Sequence, residues 1–405
     1  MTPIGTAPLS SSANLALDEL RLGGGLKQMP KVHGADLLLE RALFNRYQFD
    51  SIRTAAGTCR LVGTLDGLLA VNLPREEDWQ LVQAWIQAEL QEDYGSEEVW
   101  PELAKALSQN TSSGLIERAH DLGLAVSYAD KMPEAPKDFC QTLHKVKAGV
   151  CNKSRNPRVV DLSALWAGPL CSHLLALSGA EVIKVESTTR PDGARAGNAA
   201  FYGLLNQFKL SVALDFRTEQ GLRDLRLLLS TADIVIESSR PRALLQLGID
   251  PREYVENHPG LTWIQLTAHG SDSPRSHWIG YGDDAAAAAG LCTELHRMTG
   301  RHGFVGDAIA DPLTGLYAAL AAWRSWRAGG GELIGLSLRE VTSYCIQREL
   351  EENKDLFERQ LMAWPHVADQ LNQGFTHTPR PCQGRVASLG EDTGFVLKEA
   401  RRLSS

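Results

Sequence analysis

The spacing of apolar and polar residues changes rhythm along the chain. Apolar residues at helical spacing over 35–49 predict a helix, while 58–62 and 67–72 alternate or run apolar like short strands joined by a turn at Asp66-Gly67. An amphipathic helix bearing Trp79 and Trp85 is expected over 78–90, followed by a helix over 115–122 and a short strand over 124–127. From Arg158 the pattern becomes repetitive. The runs RVVDLS, EVIKVES, SVALDF, DIVIES, TWIQLTA, FVGDAI and ELIGLSL read as strands. Between them lie the helical pattern AGPLCSHLLALSGA and helices expected over 218–229, 243–247, 284–295 and 312–327. Strands alternating with helices imply βαβ units. The expected fold is therefore α/β: a Rossmann-like open parallel sheet with helices on both faces, plus a smaller α+β domain. Open sheets of this kind bind ligands beyond the carboxyl ends of their strands.

The same rhythm divides the chain. Residues 1–34, rich in Gly, Ser and Pro, are expected to form a flexible N-terminal segment, and 35–130 a small α+β domain. Residues 131–157, Lys- and Pro-bearing with weak periodicity, read as a linker, and 158–405 as the large domain. The triplet Gly23-Gly24-Gly25 lacks the flanking strand and helix that a phosphate loop requires. A length of 405 residues agrees with two or three domains.

Composition narrows the function classes. With 43% hydrophobic and 22% charged residues the chain is an ordinary soluble globular sequence. A net charge of −8 argues against a general nucleic-acid binder and leaves room for a small anionic ligand held by local cations. No apolar run approaches the roughly 18 residues of a membrane span, and the first residues lack the basic and apolar regions of a signal peptide. No membrane partner and a cytoplasmic location are expected. The seven cysteines, at 59, 140, 151, 171, 292, 345 and 382, form no CxxC pair. Cys140 and His144 lack a second pair to complete a zinc set, so no metal is expected and the thiols read as reduced core residues.

The usual catalytic signatures GxSxG, HExxH and the Walker loop are missing. Gly280, Gly282 and Ala285 fit GxGxxA, but no predicted strand directly precedes them, and Asp283 and Asp284 would repel a pyrophosphate. The more informative stretch is GDAIADPLTG (306–315), read as a strand, a turn and a Pro-started helix with Asp311 at the junction. Asp is a preferred N-cap and Pro a preferred first helical residue, so a capping role explains Asp311. A carboxylate at a helix start beyond a strand end also sits where such folds place ligands, and carboxylates serve as covalent nucleophiles. Both readings can hold together.

Several ordered motifs resemble the family III CoA-transferases. VVDLSALWAGPLCSHLLALSGAEVIKVES (159–187), LLNQFKLSVALDFRTEQG (204–221), ADIVIESSRPRALLQLGID (232–250), GYGDDAAAAAG (280–290), GDAIADPLTGLYAAL (306–320), GGGELIGLSLREV (329–341) and LGEDTGFVL (389–397) follow the family order. The resemblance implies that Asp311, four residues before Gly315, is the nucleophile. It would pass CoA from an acyl-CoA donor to a carboxylic acid acceptor through aspartyl anhydride and aspartyl-CoA thioester intermediates. Coenzyme A and its thioesters are then substrates, with no tightly bound cofactor. The resemblance places the CoA site along the first strand ends at Ala167-Gly168-Pro169, with Lys209 at a commonly basic position; the charge of the CoA phosphates makes Arg240 and Arg242 further candidate cations, or they are solvated loop charges. Lys184 also matches a family Lys, or snorkels at a sheet edge. The resemblance further implies an intertwined homodimer with active sites between large and small domains.

The chain also departs from the family pattern. Ser187 stands where many members carry a polar or Arg residue, and Glu237-Ser238-Ser239 replaces an ENF-type loop. Tyr281 and Gly282 occupy the places of the His–Asp pair that racemases of the family use. Tyr is a poor base near neutral pH, which disfavours racemization. Asp283 and Asp284 either supply another base to a pocket around Tyr281 or cap the Ala-rich helix that follows. The segments GTCRLVGTLDGLLAVNLPREEDWQLVQAWI (57–86) and LIERAHDLGLAVS (115–127) resemble the family's small domain, which normally comes later in the chain. A rearranged order or a truncated tandem module would account for this. The alternatives to transfer are an acyl-CoA racemase, isomerase or lyase, and a non-catalytic CoA-binding subunit.

Overall fold

The computed structural model describes residues 7–26, 32–90, 99–149, 155–373 and 380–404. Two helices come first, α1 (Ser10–Leu22) and α2 (Gly34–Asn45). A small unit follows: β1 (Cys59–Gly63), β2 (Leu68–Asn72), α3 (Glu76–Ile86), α4 (Val99–Leu107), α5 (Ser112–Leu122) and β3 (Ala125–Tyr128). Its strands form an antiparallel sheet in the order β1-β2-β3. The chain then enters a second sheet through β4 (Gln141–Lys145) and β5 (Arg158–Asp161). After α6 (Ala167–Leu177), β6 (Glu181–Ser187), α7 (Ala199–Asn206), β7 (Lys209–Leu214) and α8 (Glu219–Ser230) come β8 (Ile234–Glu237), α9 (Pro241–Gln246), α10 (Pro251–Asn257) and β9 (Thr262–Thr267). The rest is α11 (Gly282–Ala288), α12 (Leu291–Thr299), α13 (Ala310–Ala328), β10 (Glu332–Ser337), α14 (Leu338–Glu352), α15 (Lys354–Asn372) and α16 (Thr393–Leu403).

The larger sheet runs β4-β10-β9-β8-β5-β6-β7, with β4 antiparallel at one edge and the other strands parallel. Renumbered by chain order, the parallel strands give 3-2-1-4-5-6, the doubly wound order, with the topological switch between β5 and β8. Alternation along each strand explains the two covered faces. Val159, Val182, Ile234 and Ile236 point into one core with α1, α6, α13 and α15. Val160, Ile183, Val235 and Val212 point into the other with α8, α10 and α16. Among the described residues no helix is long and apolar enough to cross a membrane.

Four local expectations change. First, residues 10–22 are not loose chain. Leu17 and Leu20 of α1 are fully buried in the main core, and Ser12 donates from its backbone N–H and hydroxyl to Glu349 at 2.7 and 2.9 Å. The Gly23-Gly24-Gly25 triplet ends this helix: the Gly23 and Gly25 N–H groups return to Glu19 and Leu20 carbonyls, and Gly24 adopts φ 83°. Second, the 131–157 stretch is not only a connector, because β4 pairs along β10. Third, the helix expected over 284–295 is broken at Gly290, φ 94°, into α11 and α12. Fourth, FVGDAI is a turn, with Gly306 and Ala308 in the left-handed region at φ 76° and 43°.

The burial of α1 has a measurable consequence. Leu17→Ala is expected to lower unfolding free energy by roughly 3 kcal/mol, the usual loss for a fully buried leucine. Urea denaturation measures it. A loss under about 0.5 kcal/mol would mean that α1 does not belong to the cooperative core.

Candidate active site

The site gathers where helix starts meet at the carboxyl edge of the large sheet. Asp311 lies in the first turn of α13, and the helix is capped by no side chain of its own. The Asp311 N–H already bonds to the Ala308 carbonyl at 2.8 Å, so Asp311 stands one step inside the helix rather than at the N-cap. Its carboxylate faces the backbone N–H groups of Ala167 and Gly282, the first residues of α6 and α11, and both favour its charged form. The side chain thus occupies the meeting point of three helix starts, including its own, where N–H groups and helix dipoles favour negative charge. Two glycines make that approach possible. A Cβ on Gly282 would lie 2.3 Å from Asp311 Oδ2, and one on Gly315 would lie 2.5 Å from the Ala167 carbonyl.

The surrounding carboxylates have separate partners. Asp283 accepts the N–H of Ala308 at 2.8 Å and ties α11 to the left-handed turn before Asp311. Asp284 accepts the Tyr281 N–H at 2.9 Å and the Asn72 side-chain amide at 2.8 Å. It therefore caps α11 and also joins it to β2 of the small unit. Asp307 is fully buried and holds Arg41 of α2 through a two-point ion pair, Nε to Oδ2 at 2.9 Å and Nη2 to Oδ1 at 2.5 Å. Burial pushes Asp311 up to about 6, with Arg41 and the two backbone donors opposing and Asp307 adding to the rise. Burial also raises Asp283, with Asp307 contributing, and lifts Asp284 to about 7.

The residues assigned to CoA contact fall into two groups. Lys209 is interior rather than ligand-facing. Its ammonium donates to Asp161 at 3.2 Å, the Pro169 carbonyl at 2.9 Å and Asn206 at 3.1 Å, and burial lowers it to about 8. The edge position of Lys184 is also corrected: β6 lies between β5 and β7, and the buried ammonium bonds Asp192 at 2.9 Å and the Ser163 carbonyl at 3.0 Å. These two lysines, with Asp161 accepting from Ser163 and Ser172, brace the loop that delivers the Ala167 N–H. Gly168 leaves space for Ser163 instead of a ligand, since a Cβ there would lie 2.1 Å from Ser163 Oγ, and Pro169 is buried beside it.

Arg240 and Arg242 are exposed at the start of α9, just past the end of β8. They flank the switch point, where Ala164 N–H donates to Ser238 Oγ at 3.2 Å across the two strand-end loops. Tyr281 lies between the two units. Burial raises its phenol, while Arg75 of the small unit and Arg240 of the large one lower it.

Sequence reasoning missed Arg41, Asn72, Arg75 and His269. The His269 imidazole is buried two residues past β9, and its Nε2 lies 3.8 Å from Asp284 Oδ2. Burial drives it down to about 3, so it is neutral. Its position just beyond a strand end was a readable signal. Arg41 and Asn72 carried none, because their partners are remote in sequence. A cavity of about 430 Å³ opens beside the small unit, lined by Tyr47, Arg53, Leu73, Trp79 and Trp100 among others. Its Tyr47 wall adjoins the acidic centre, since Arg41, Asp307 and Asp283 all act on that phenol. Among the described residues no group of His, Cys, Asp and Glu assembles to hold a metal.

Fold and site together define a doubly wound α/β protein that presents one carboxylate to the backbone N–H groups of neighbouring helix starts. Residues 155–368 match the model of CoA-transferase family III, and the chain belongs to that family. It is 30% identical over 209 residues to a succinate–glutarate CoA-transferase of Agrobacterium fabrum, covering 47% of this chain and 52% of that one. It is 33% identical over 256 residues to a probable fatty acyl-CoA transferase of Mycobacterium tuberculosis, covering 60% of each. It is 30% identical over 196 residues to an alpha-methylacyl-CoA racemase of Mus musculus, covering 47% of this chain and 49% of the relative. The chain thus spans about half of the first and last of these relatives and three-fifths of the second.

Proposed function

We propose that this chain transfers CoA from an acyl-CoA to a carboxylic acid, with Asp311 as the covalent nucleophile. The observation that carries the reading is the Asp311 carboxylate facing the Ala167 and Gly282 N–H groups, so close to the α11 start that a Cβ on Gly282 would lie 2.3 Å from Oδ2, in a chain of this family. In the first step an Asp311 oxygen attacks the thioester carbonyl, the C–S bond breaks, and CoA leaves as thiolate with a mixed anhydride on Asp311. The thiolate then attacks the aspartyl carbonyl, releasing the donor acid and leaving an aspartyl-CoA thioester. An acceptor carboxylate attacks that thioester and expels CoA thiolate again, and the thiolate takes the acceptor acyl group from the second anhydride. Asp311 is regenerated. No proton needs to move in any step, which suits a centre whose nearest groups are backbone donors and carboxylates. The same N–H groups that hold the resting carboxylate are placed for the oxyanion that forms on the aspartyl carbon.

In this reading Arg240 and Arg242 take CoA phosphates at the switch point, and the cavity beside Tyr47 takes the body of an acyl group or acceptor. The free thiols among the described residues support a reducing compartment such as the cytoplasm. An intertwined homodimer, implied by resemblance, belongs to the same proposal. Incubation with a panel of acyl-CoA donors, followed by intact-mass and peptide mass spectrometry, tests the chemistry. A CoA adduct on the Asp311 peptide that hydroxylamine removes supports it, and no adduct with any donor overturns it. A second reading, α-proton exchange on an acyl-CoA, is favoured by the buried His269–Asp284 pair at 3.8 Å. Deuterium uptake at the α-carbon without CoA transfer would establish that reading instead.

A further inference from the structure

We propose that Arg41 is a positioning residue for Asp311, supplied by helix α2 from outside the stretch that matches the family. The inference deepens the transferase reading and rests on it for the role of Asp311. One guanidinium touches both segments that hold the nucleophile. It grips Asp307 at two points, in the turn that leads into Asp311, and it lies 4.9 Å over the Trp166 ring, next to the Ala167 N–H donor. Helix α2 is itself fixed, because the neighbouring Glu40 binds Arg380 at 2.7 and 2.8 Å and Arg380 reaches His173 of α6. The site is thereby completed by a residue some 270 positions upstream of Asp311, within one chain.

The charge inventory gives Arg41 its second job. Asp311 is acted on by Arg41 from α2, by Asp307 from its own turn, by Asp284 from α11 and by neutral N–H groups from α6 and α11, while Asp283 of α11 and Tyr47 past the end of α2 act with Arg41 and Asp307 beside it. Arg41 is the cation in this set, and it acts on Asp283, Asp307 and Asp311 together. Without it, one further proton would be expected among these carboxylates, and an Asp311 that carries a proton cannot attack.

The test titrates Asp311 in the resting protein, without substrate. A stabilised diazoacetamide esterifies protonated carboxyls, and mass spectrometry reads the Asp311 peptide against exposed Glu219 across pH 4.5–9. Arg41→Gln is expected to move the Asp311 midpoint up by about one unit, and Arg41→Lys by less than about half of that. Asp307→Asn removes a negative neighbour and is expected to move the midpoint down. Turnover of Arg41→Gln should fall about tenfold at pH 5.5 beyond any loss at pH 9. An unmoved midpoint in folded Arg41→Gln overturns the proposal, as does a shift of Arg41→Gln and Asp307→Asn in the same direction. If Arg41→Gln does not fold, Arg41→Met decides by the same titration: an upward shift supports the proposal, and no shift or a downward one overturns it. The titration needs no CoA chemistry, so its failure is separable from a failure to find the CoA adduct.

Discussion

Asp311→Ala is expected to lower CoA transfer by roughly 10⁴-fold or more and to abolish the hydroxylamine-sensitive adduct. The size of the loss follows from the lack of a substitute. Asp307 is committed to Arg41, Asp283 to the Ala308 N–H, and Asp284 to Tyr281 and Asn72. None of them meets the Ala167 and Gly282 donors that face Asp311. Removing a covalent nucleophile also removes both thioester exchanges at once, so the residual rate is that of uncatalysed attack by the acceptor. Stability should move the other way with pH. The folded carboxyl is raised to about 6 by burial, against about 3.9 in an unfolded chain, so the parent loses stability as pH rises through that window and regains none above it. The Ala variant lacks that loss. Its melting temperature relative to the parent should therefore improve from pH 4 to pH 8. Turnover within tenfold of the parent would sink the nucleophile assignment, and a melting difference independent of pH would sink the electrostatic account.

The legible parts of the molecule share one property: their determinants lie close in sequence. The parallel strands stand out because both faces are buried, so VVD, VIKVE and IVIE run nearly without polar interruption. Asp311 stands out because Pro312 and Gly315 lie in the same short window. The illegible parts depend on remote partners. Helix α1 begins with three serines and ends at three glycines, a loop-like composition, yet Ser12 is accounted for by Glu349 and the Trp323 indole donates to the Gly23 carbonyl. FVGDAI has the apolar content of a strand, but Asp307 and the Ala308 N–H are claimed by Arg41 and Asp283, which stabilise a turn that no local propensity favours. Lys209 reads as a ligand cation in the sequence, which shows its charge and hides Asp161 beneath it. Position within the family pattern was informative for that lysine, whereas its role was visible only in three dimensions.

Gly282→Ala is expected to be nearly as damaging to transfer as loss of the nucleophile, for a steric reason. The new Cβ would lie 2.3 Å from Asp311 Oδ2, 2.4 Å from the Ala308 carbonyl oxygen and 2.7 Å from Ala308 Cβ. Ordinary contact is roughly 3.4 Å, so the carboxylate must retreat by about 1 Å or the α11 start must tilt away. Either motion takes Asp311 away from the Gly282 N–H and aims the attacking oxygen elsewhere. Displacement of that size and loss of one backbone donor together predict a fall of roughly 10³-fold in turnover. The backbone itself offers no objection, since Gly282 opens a helix and Ala is the better helix former by up to about 1 kcal/mol. A large loss of activity with modest loss of stability is thus the expected signature. Gly394→Ala on α16 is the control: a Cβ there meets nothing within 4 Å, so turnover should be unchanged and helix stability slightly improved. Activity of Gly282→Ala within tenfold of the parent would mean that Asp311 is not held by the α11 start during the reaction, and the convergence of helix starts would lose its catalytic meaning.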